Sequence, residues 1–553
     1  MMRRIVRSMR LYQSNRKQIR SLVNLLRHIF CLSILIGILS ACEFPQEKQV
    51  AISVTLNVDG QSQEVSVPAG TNARQALEFG GVIINPDDRS DPPFFTILSD
   101  GAIVNLTRVV EEYVIEESIL PYETQVLRNE SLPEGERRLI QPGVNGIQET
   151  TFRIILENGI EVSRNQVNSV IIQAPIPEVV MVGNQAPFAS IDIPGRLAYI
   201  SAGNAWIMEG NTGVRRPLVT TGDLDGRVFS ISPDGDWLLY TRSGESEEVI
   251  NTLWATRVVE DEIQMIDLKV SNVIHFADWV EGSVNGVVFS TAESIQSPPG
   301  WQANNDLKFL NYSSSGWVSR PRTSIRENSG GVYGWWGVDY VWSADGEQLA
   351  YSRPDEIGLV DLETERLVPL YNFPPLQTRS DWAWIPEIAW SPDGLFLYFV
   401  DHTPQEGLSS GEHSPLFSLA AIPLFGGVPI SMIPEVGMFA NPLPSPARRL
   451  TLTNENSFQI AYLQALMPTQ SQTGGYQLVV FDRDGSNPNI LFPPEGTPGL
   501  EPHRFKWAPD IDGGVGSDII AIIYQGNIWF IDVVQGTSQQ LTGDGLISAI
   551  DWK

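Results

Sequence analysis

Few stretches of this chain bring together residues that could do chemistry. Gly407-Leu408-Ser409-Ser410-Gly411 fits the G-x-S-x-G spacing of a serine nucleophile elbow, and His402 and His413 flank it. That elbow needs a strand before it and a helix after it, so that the hydroxyl stands exposed on a strained turn. Here the neighbours are "DHTPQE" and "EHSPLF", a polar insertion between strands, which reads as a loop. "DRDGSN" at 482–487 begins like a calcium loop, but Pro493 stands at the twelfth place where a bidentate glutamate is required. A strand-connecting turn is the better reading. Only five histidines occur, with no pair at ligand spacing on a helix. No catalytic residue, metal site or cofactor is therefore assigned.

Aromatic residues carry more promise. "GGVYGWWG" holds Tyr333, Trp335 and Trp336, and "DWAWIP" holds Trp382 and Trp384. Each group precedes a first strand of a repeat, where loops of one face gather. Indole faces stack on sugar rings and anchor protein interfaces, so these five are the candidate ligand-face residues. Packing within the repeats is the competing role.

The elements that position them repeat. "FSISPDGDWLLYTR", "YVWSADGEQLAYSR" and "IAWSPDGLFLYFVD" each join an apolar strand to a polar turn and a second apolar strand. The residue before each turn serves as anchor: Ile231, Trp279, Trp342, Trp390, Thr453, Trp507 and Trp552. Four strands in roughly 50 residues make one blade of a β-propeller, and seven anchors predict seven blades over 185–553. "GRLAYISAGNAWIMEGNTGVRRPLVTT" supplies later strands of a blade and the final "LISAIDWK" a first strand, a pattern that closes a ring by pairing the ends. The Ser-Pro-Asp-Gly turns at 232–235 and 391–394 resemble the WD-like repeats of TolB-type propellers. That resemblance implies fold more than activity. It departs at "DWVEGSVNG", "TNENS" and "APDIDGGVGSD", and TolB-type propellers usually carry six blades.

Ahead of the repeats, "VAISVTLNVDGQSQEVSVPAG" alternates apolar and polar residues around Asp59-Gly60, which predicts a hairpin. "TNARQALEFGG" predicts a short helix with Thr71 as N-cap and Gly80-Gly81 as stop. Strand, hairpin, strand and helix predict a small ubiquitin-like α+β roll at 51–108. Residues 109–184 contain "SLPEGE", "QPGVNG", "ENG" and "VVMVG", with glycines at Gly135, Gly143, Gly146, Gly159 and Gly183. This pattern resembles the five-glycine domain of bacterial cell-wall proteins and resuscitation-promoting factors. The glycines themselves read as structural: in an elongated single-layer β module with little core, reversals fall where positive φ is tolerated. Asn145-Gly146 and Asn158-Gly159 look like hairpin pairs. The resemblance implies contact with peptidoglycan or N-acetylglucosamine polymers and, in some members, zinc-assisted pairing. No histidine lies between Cys42 and His275, so only carboxylates could bind zinc in this module.

The N-terminus carries eight Arg/Lys and no acid in residues 1–41, followed within that leader by an apolar run to Leu39. This predicts a secretory signal peptide, too short in its apolar part to span a bilayer, with initiation at Met1 or Met9. Leu39-Ser40-Ala41-Cys42 resembles the lipobox of bacterial lipoproteins, which implies lipidation (palmitate among the chains) of Cys42, a tether at 42–50 and a membrane partner. Cys31 would leave with the leader, so no disulfide within the chain is expected. Without the leader the formal charge changes from −28 to 29 − 65 = −36, which repels phosphate backbones and argues against nucleic acid. The expectation is an all-β chain with a seven-bladed β-propeller, anchored by lipid on the extracytoplasmic side of a bacterial envelope. It would bind wall glycan and an unknown envelope protein without being an enzyme. The alternative is a propeller hydrolase or lyase of wall polysaccharide, whose channel residues spacing alone would not reveal.

Overall fold

The computed structural model describes residues 50–130, 132–184, 188–259, 264–283, 285–449, 456–510 and 518–553. The leader, Cys42 and Thr453 lie outside the described residues. The chain is nearly all β, and among the described residues one α-helix occurs. Two compact units are present, residues up to 123 with 144–176, and residues 124–143 with 177–553.

The first unit begins with a four-stranded sheet. Strands β1 (Ala51–Val58) and β2 (Gln61–Pro68) are antiparallel, joined through Asp59 and Gly60 at φ 51° and 78°. Both central residues of a type I′ turn need positive φ, which is why Asp-Gly stands there. Helix α1 (Ala73–Phe79) follows, then β3 (Arg89–Asp91) and β4 (Ile103–Thr107), giving the order β2-β1-β4-β3 with β1 and β4 parallel. Ile52, Val54 and Leu56 alternate onto the face that receives Ala73, Ala76 and Leu77. The helix is capped by Asn72, not Thr71. Asn72 Oδ1 accepts from Gln75 N at 2.9 Å and Gln75 Oε1 accepts from Asn72 N at 3.1 Å, while the Thr71 hydroxyl donates to Pro68 O. An asparagine with glutamine three residues on satisfies two end amides reciprocally, which a threonine one place earlier cannot do.

Strand β5 (Val109–Leu120) leads into β6 (Thr124–Asn129), β7 (Arg137–Gln141), β8 (Gly146–Glu157), β9 (Ile160–Gln173) and β10 (Glu178–Gly183). These form two different sheets. β5-β8-β9 is a single antiparallel layer in the first unit, with few buried side chains and an unbroken register from Val109↔Glu157 to Leu120↔Gly146. β6-β10-β7 belongs to the second unit, where Leu127, Leu132, Val179 and Met181 join its core. The glycine-rich stretch is thus divided between the two units.

Its glycines do three different jobs. Asn158-Gly159 turns the β8–β9 hairpin at φ 51° and 79°. Gly146 makes no hairpin turn: it opens β8 opposite Leu120, and a Cβ there would lie 2.4 Å from Gln173 O. Gly183 is tighter, since its Cβ would fall 1.9 Å from Pro133 O. Gly135, at φ 81°, donates its N–H to Gly183 O at 3.1 Å, so two residues far apart in the signature meet.

Beyond β10 the described residues of the second unit form seven sheets of three or four strands in propeller-like succession, with two further two-stranded ribbons. Six are antiparallel meanders of four strands, beginning with Leu224–Ile231 (sheet II), Ala277–Trp279 (III), Asp339–Trp342 (IV), Ile388–Trp390 (V), Leu443–Pro444 (VI) and Lys506–Trp507 (VII). Sheet I pairs the last strand with one near residue 190: Ile547–Trp552 pairs with Asp192–Ser201, which pairs with Asn204–Val219. Hydrophobic clusters link each sheet to the next, including VII to I through Phe530 and Trp552. Six of the seven sequence anchors end a first strand. In sheet VI the first strand is Leu443–Pro444, ahead of the segment containing Thr453.

The anchors explain why the repeat favours tryptophan. The indole N–H of Trp279 donates to Ser230 O at 3.0 Å, that of Trp390 to Val341 O at 2.9 Å and that of Trp507 to Leu443 O at 2.9 Å. Each acceptor sits one residue before the end of the preceding sheet's first strand, so one ring both fills the gap and ties two sheets together. The Ser-Pro-Asp-Gly turns are fixed locally. Ser232 Oγ accepts from Trp237 N and Ser391 Oγ from Phe396 N, both at 2.9 Å, while Asp234 and Asp393 accept amides two residues on.

Candidate functional site

The segments that lead into the first strands of sheets III to VII converge on one cavity of about 440 Å³. It is lined by His275 ahead of sheet III, Trp336 and Asp339 at IV, Trp382 to Glu387 at V, Phe439 ahead of VI, Gln472 within VI, and Arg504 ahead of VII. The volume lies in the range of small-molecule sites, roughly 300–1,000 Å³.

Local sequence builds the aromatic side. In the loop before sheet IV, Trp336 packs on His275 and Trp301 with ring centroids 5.2 and 5.0 Å away, and Trp335 meets it edge-on at 5.8 Å. The Trp336 carbonyl accepts from Trp301 Nε1 at 3.2 Å and faces His275 Nε2 at 2.7 Å. Gly337 lets the chain pass: its φ is 139° and a Cβ would lie 2.4 Å from His275 Cδ2. Trp336 and Trp382 are half-buried and line the cavity. Trp384 lines it as well but is core, 2 % exposed, with its N–H donated to Met438 O at 2.9 Å and its ring against Phe417. Tyr333 and Trp335 share the loop without lining the cavity; Tyr333 has φ 56° and Trp335 offers its carbonyl to Ala303 N.

The polar side is charged. Arg504 Nη2 donates to Asp339 Oδ2 at 3.1 Å, and that is one of five donors the guanidinium carries. Arg504 is surrounded by protein yet its side chain is 68 % exposed, because it projects into the open cavity. Asp339 beside it raises its pKa. Glu387 is different in kind. Burial raises its carboxyl to about 7, and its buried Oε2 has no hydrogen-bond partner. Burial lowers His275 to about 4, so the ring is neutral at physiological pH and presents N–H at Nε2 to the Trp336 carbonyl.

Sequence reading placed two tryptophan groups here and missed His275, Asp339, Glu387, Phe439, Gln472 and Arg504. The only available signal was position: each of five repeats had a segment just ahead of its first strand, and a charged or ring-bearing residue in that segment was a candidate.

The two histidines that flank the serine-centred stretch have other partners. His402 is buried, with Nδ1 facing Pro374 O at 2.7 Å and Nε2 facing Ser414 O at 2.8 Å, while His413 Nε2 contacts Gln377 Oε1 and Ser410 Oγ accepts from Glu412 N. "DRDGSN" is a strand-connecting turn in which Asp484 accepts Ser486 N at 3.0 Å. Among the described residues no group of three or more His, Cys, Asp and Glu could hold a metal ion, and no helix is long and apolar enough to cross a membrane.

Curated resuscitation-promoting factors match part of the chain. Resuscitation-promoting factor Rpf2 of Corynebacterium glutamicum is 26 % identical over 160 residues, covering 29 % of this chain and 42 % of its own. Resuscitation-promoting factor RpfB of Mycolicibacterium smegmatis is 27 % identical over 150 residues, covering 26 % and 41 %. The matches thus span about two fifths of those relatives' length. Among solved structures, the periplasmic gluconolactonase PpgL of Pseudomonas aeruginosa overlaps 64 % of this chain and 98 % of its own at 14 % identity, with a TM-score of 0.38. Residues 110–185 match the G5 domain family, so the divided, glycine-marked β module between the N-terminal sheet and the seven-sheet body is a G5 domain.

Proposed function

We propose that this chain is a lipid-anchored, non-catalytic binding protein of the bacterial cell envelope. Residues 1–41 act as a lipoprotein signal peptide, Cys42 carries the lipid, and 42–50 is the tether to the membrane, facing the extracytoplasmic side. Residues 51–108 form a ubiquitin-like roll, and the G5 domain contacts peptidoglycan or another N-acetylglucosamine polymer. The seven sheets are the blades of one closed propeller that offers its loop face to a protein or glycan partner. Membrane, wall and partner contacts on a single chain raise effective concentration at each site. The observation that carries this reading is the G5 match over 110–185.

Sedimentation with purified peptidoglycan tests it. Val144 and Ile176 exchange both backbone hydrogen bonds, at 2.9 and 2.8 Å, so residues 144–176 can be replaced by an Asn-Gly turn while 50–123 is removed. This spares Leu127, Val179 and Met181, which the second unit needs. The full chain should co-sediment and the shortened one should not; equal retention of both removes the wall-contact role.

Glu387 favours a second reading. A carboxyl held near 7 on a cavity-lining residue suits a general acid, and a propeller hydrolase or lyase of wall polysaccharide would use it. New reducing ends or unsaturated products from peptidoglycan, lost in Glu387→Gln, would establish that activity, and their absence would leave binding alone.

A further inference from the structure

We propose that the cavity ahead of sheets III to VII binds a saccharide bearing a single carboxylate, such as a uronic or muramic acid, with Arg504 gripping the carboxylate and Trp336 and Trp382 flanking the ring. It deepens the reading of the propeller as a binding module and is independent of the G5 domain.

Arg504 is the centre of the argument. A guanidinium that spends one of its donors on Asp339 and projects into an open cavity is a planar fork awaiting a planar anion. The body around it is strongly acidic, so an unfilled cation held there is not explained by solubility or by general charge attraction. A doubly charged phosphate is disfavoured, because Asp339 and Glu387 line the same cavity. A monoanion fits better: Asp339 offsets part of the guanidinium charge, and burial keeps Glu387 partly protonated, so it adds less than a full negative charge to the lining.

The remaining lining selects a sugar among carboxylates. Trp336, Trp382 and Phe439 add aromatic surface to the same lining, and Gln472 is exposed and adds an amide. Aromatic walls with a few convergent hydrogen-bonding groups match a pyranose, whose C–H faces are apolar and whose edge is polar. The cavity volume accommodates a small saccharide.

Calorimetric titration of the purified chain with glucuronic acid and N-acetylmuramic acid tests this, with glucose, N-acetylglucosamine and acetate as controls. At least one acid sugar should bind with Kd near or below about 1 mM, and the neutral sugars and acetate at least about tenfold more weakly. Arg504→Gln should weaken the acid sugar about tenfold or more, the loss expected for a charge-assisted hydrogen bond. Arg504→Lys, which keeps the charge without the fork, should recover part of the affinity. Trp382→Ala should weaken acid and neutral sugars alike. The proposal is overturned if neither acid sugar binds saturably, if acetate or glucose binds as well, or if folded Arg504→Gln binds as the parent does. In intact peptidoglycan the lactyl carboxyl of muramic acid is taken up in the amide to the stem peptide, so the wall itself does not supply the free carboxylate this site needs. Failure with the soluble probes leaves wall sedimentation untouched, and failure of sedimentation leaves this site untouched.

Discussion

Replacing Trp390 with phenylalanine should separate the tie between sheets from simple packing. Trp390 is 6 % exposed and its N–H reaches Val341 O at 2.9 Å across the gap from sheet V to sheet IV. Phenylalanine keeps an aromatic ring there but removes the hydrogen bond and leaves a carbonyl without that donor. A net hydrogen bond contributes about 1 kcal/mol and an unsatisfied buried acceptor costs about 1–3 kcal/mol, so a loss of about 1–3 kcal/mol is expected. Trp342 is the internal control, because its buried Nε1 has no partner. Trp342→Phe removes a stranded donor, so the lost packing is offset and the change should be smaller by about 1–2 kcal/mol. Urea unfolding followed by far-UV circular dichroism, which does not depend on the tryptophan removed, gives both values. In thermal scans the difference appears as a small shift, roughly 1 °C per kcal/mol for a unit of this size. Equal destabilisation by the two substitutions would refute the tie and reduce the anchors to volume fillers.

Gly183→Ala should disrupt the β6-β10-β7 sheet far more than Gly135→Ala, because the first drives a Cβ to 1.9 Å from Pro133 O whereas the second meets open space and carries only the strain of φ 81°, about 1 kcal/mol; denaturant midpoints compare them. Glu130→Ala should cost about 3–5 kcal/mol, since Glu130 and Arg215 form a 2.7 Å pair with side chains only 8 % exposed each and Glu130 also receives Gly543 N; protease cleavage within 124–143 would accelerate in the variant. Glu387 is raised in the folded state from 4.5 to about 7, so its contribution favours folding below about 4.5 and is lost as pH rises towards about 7. Glu387→Gln should therefore gain stability relative to the parent across that window, and a flat difference between the two unfolding curves from pH 4.5 to 7 would contradict the shift.

Local rules carried much of the fold. Alternation in "VAISVTLNV" placed β1, Asp59-Gly60 and Asn158-Gly159 turned their hairpins, and the strand ends at Trp279, Trp342, Trp390, Trp507 and Trp552 fell where the repeats put them. These features depend on side-chain period and on φ preferences of a few residues, and a linear sequence contains both. The N-cap failed by one residue, because the choice between Thr71 and Asn72 depends on a reciprocal contact with Gln75. Asn145-Gly146 failed for a broader reason: its glycine answers the approach of Gln173, at the far end of the partner strand β9.

The sequence by itself determined a β-rich chain of repeated strand units and the signature of the G5 domain, since these follow from composition, alternation and glycines at set spacing. Only the tertiary structure decided that the G5 stretch divides between two units, that indoles reach one sheet backwards, and that His275, Asp339, Glu387 and Arg504 line a single cavity. The physical reason is that each of those residues is locally unremarkable. What sets its chemistry is desolvation and the charge of neighbours brought together by the stacking of sheets, and no spacing rule along the chain encodes that distance.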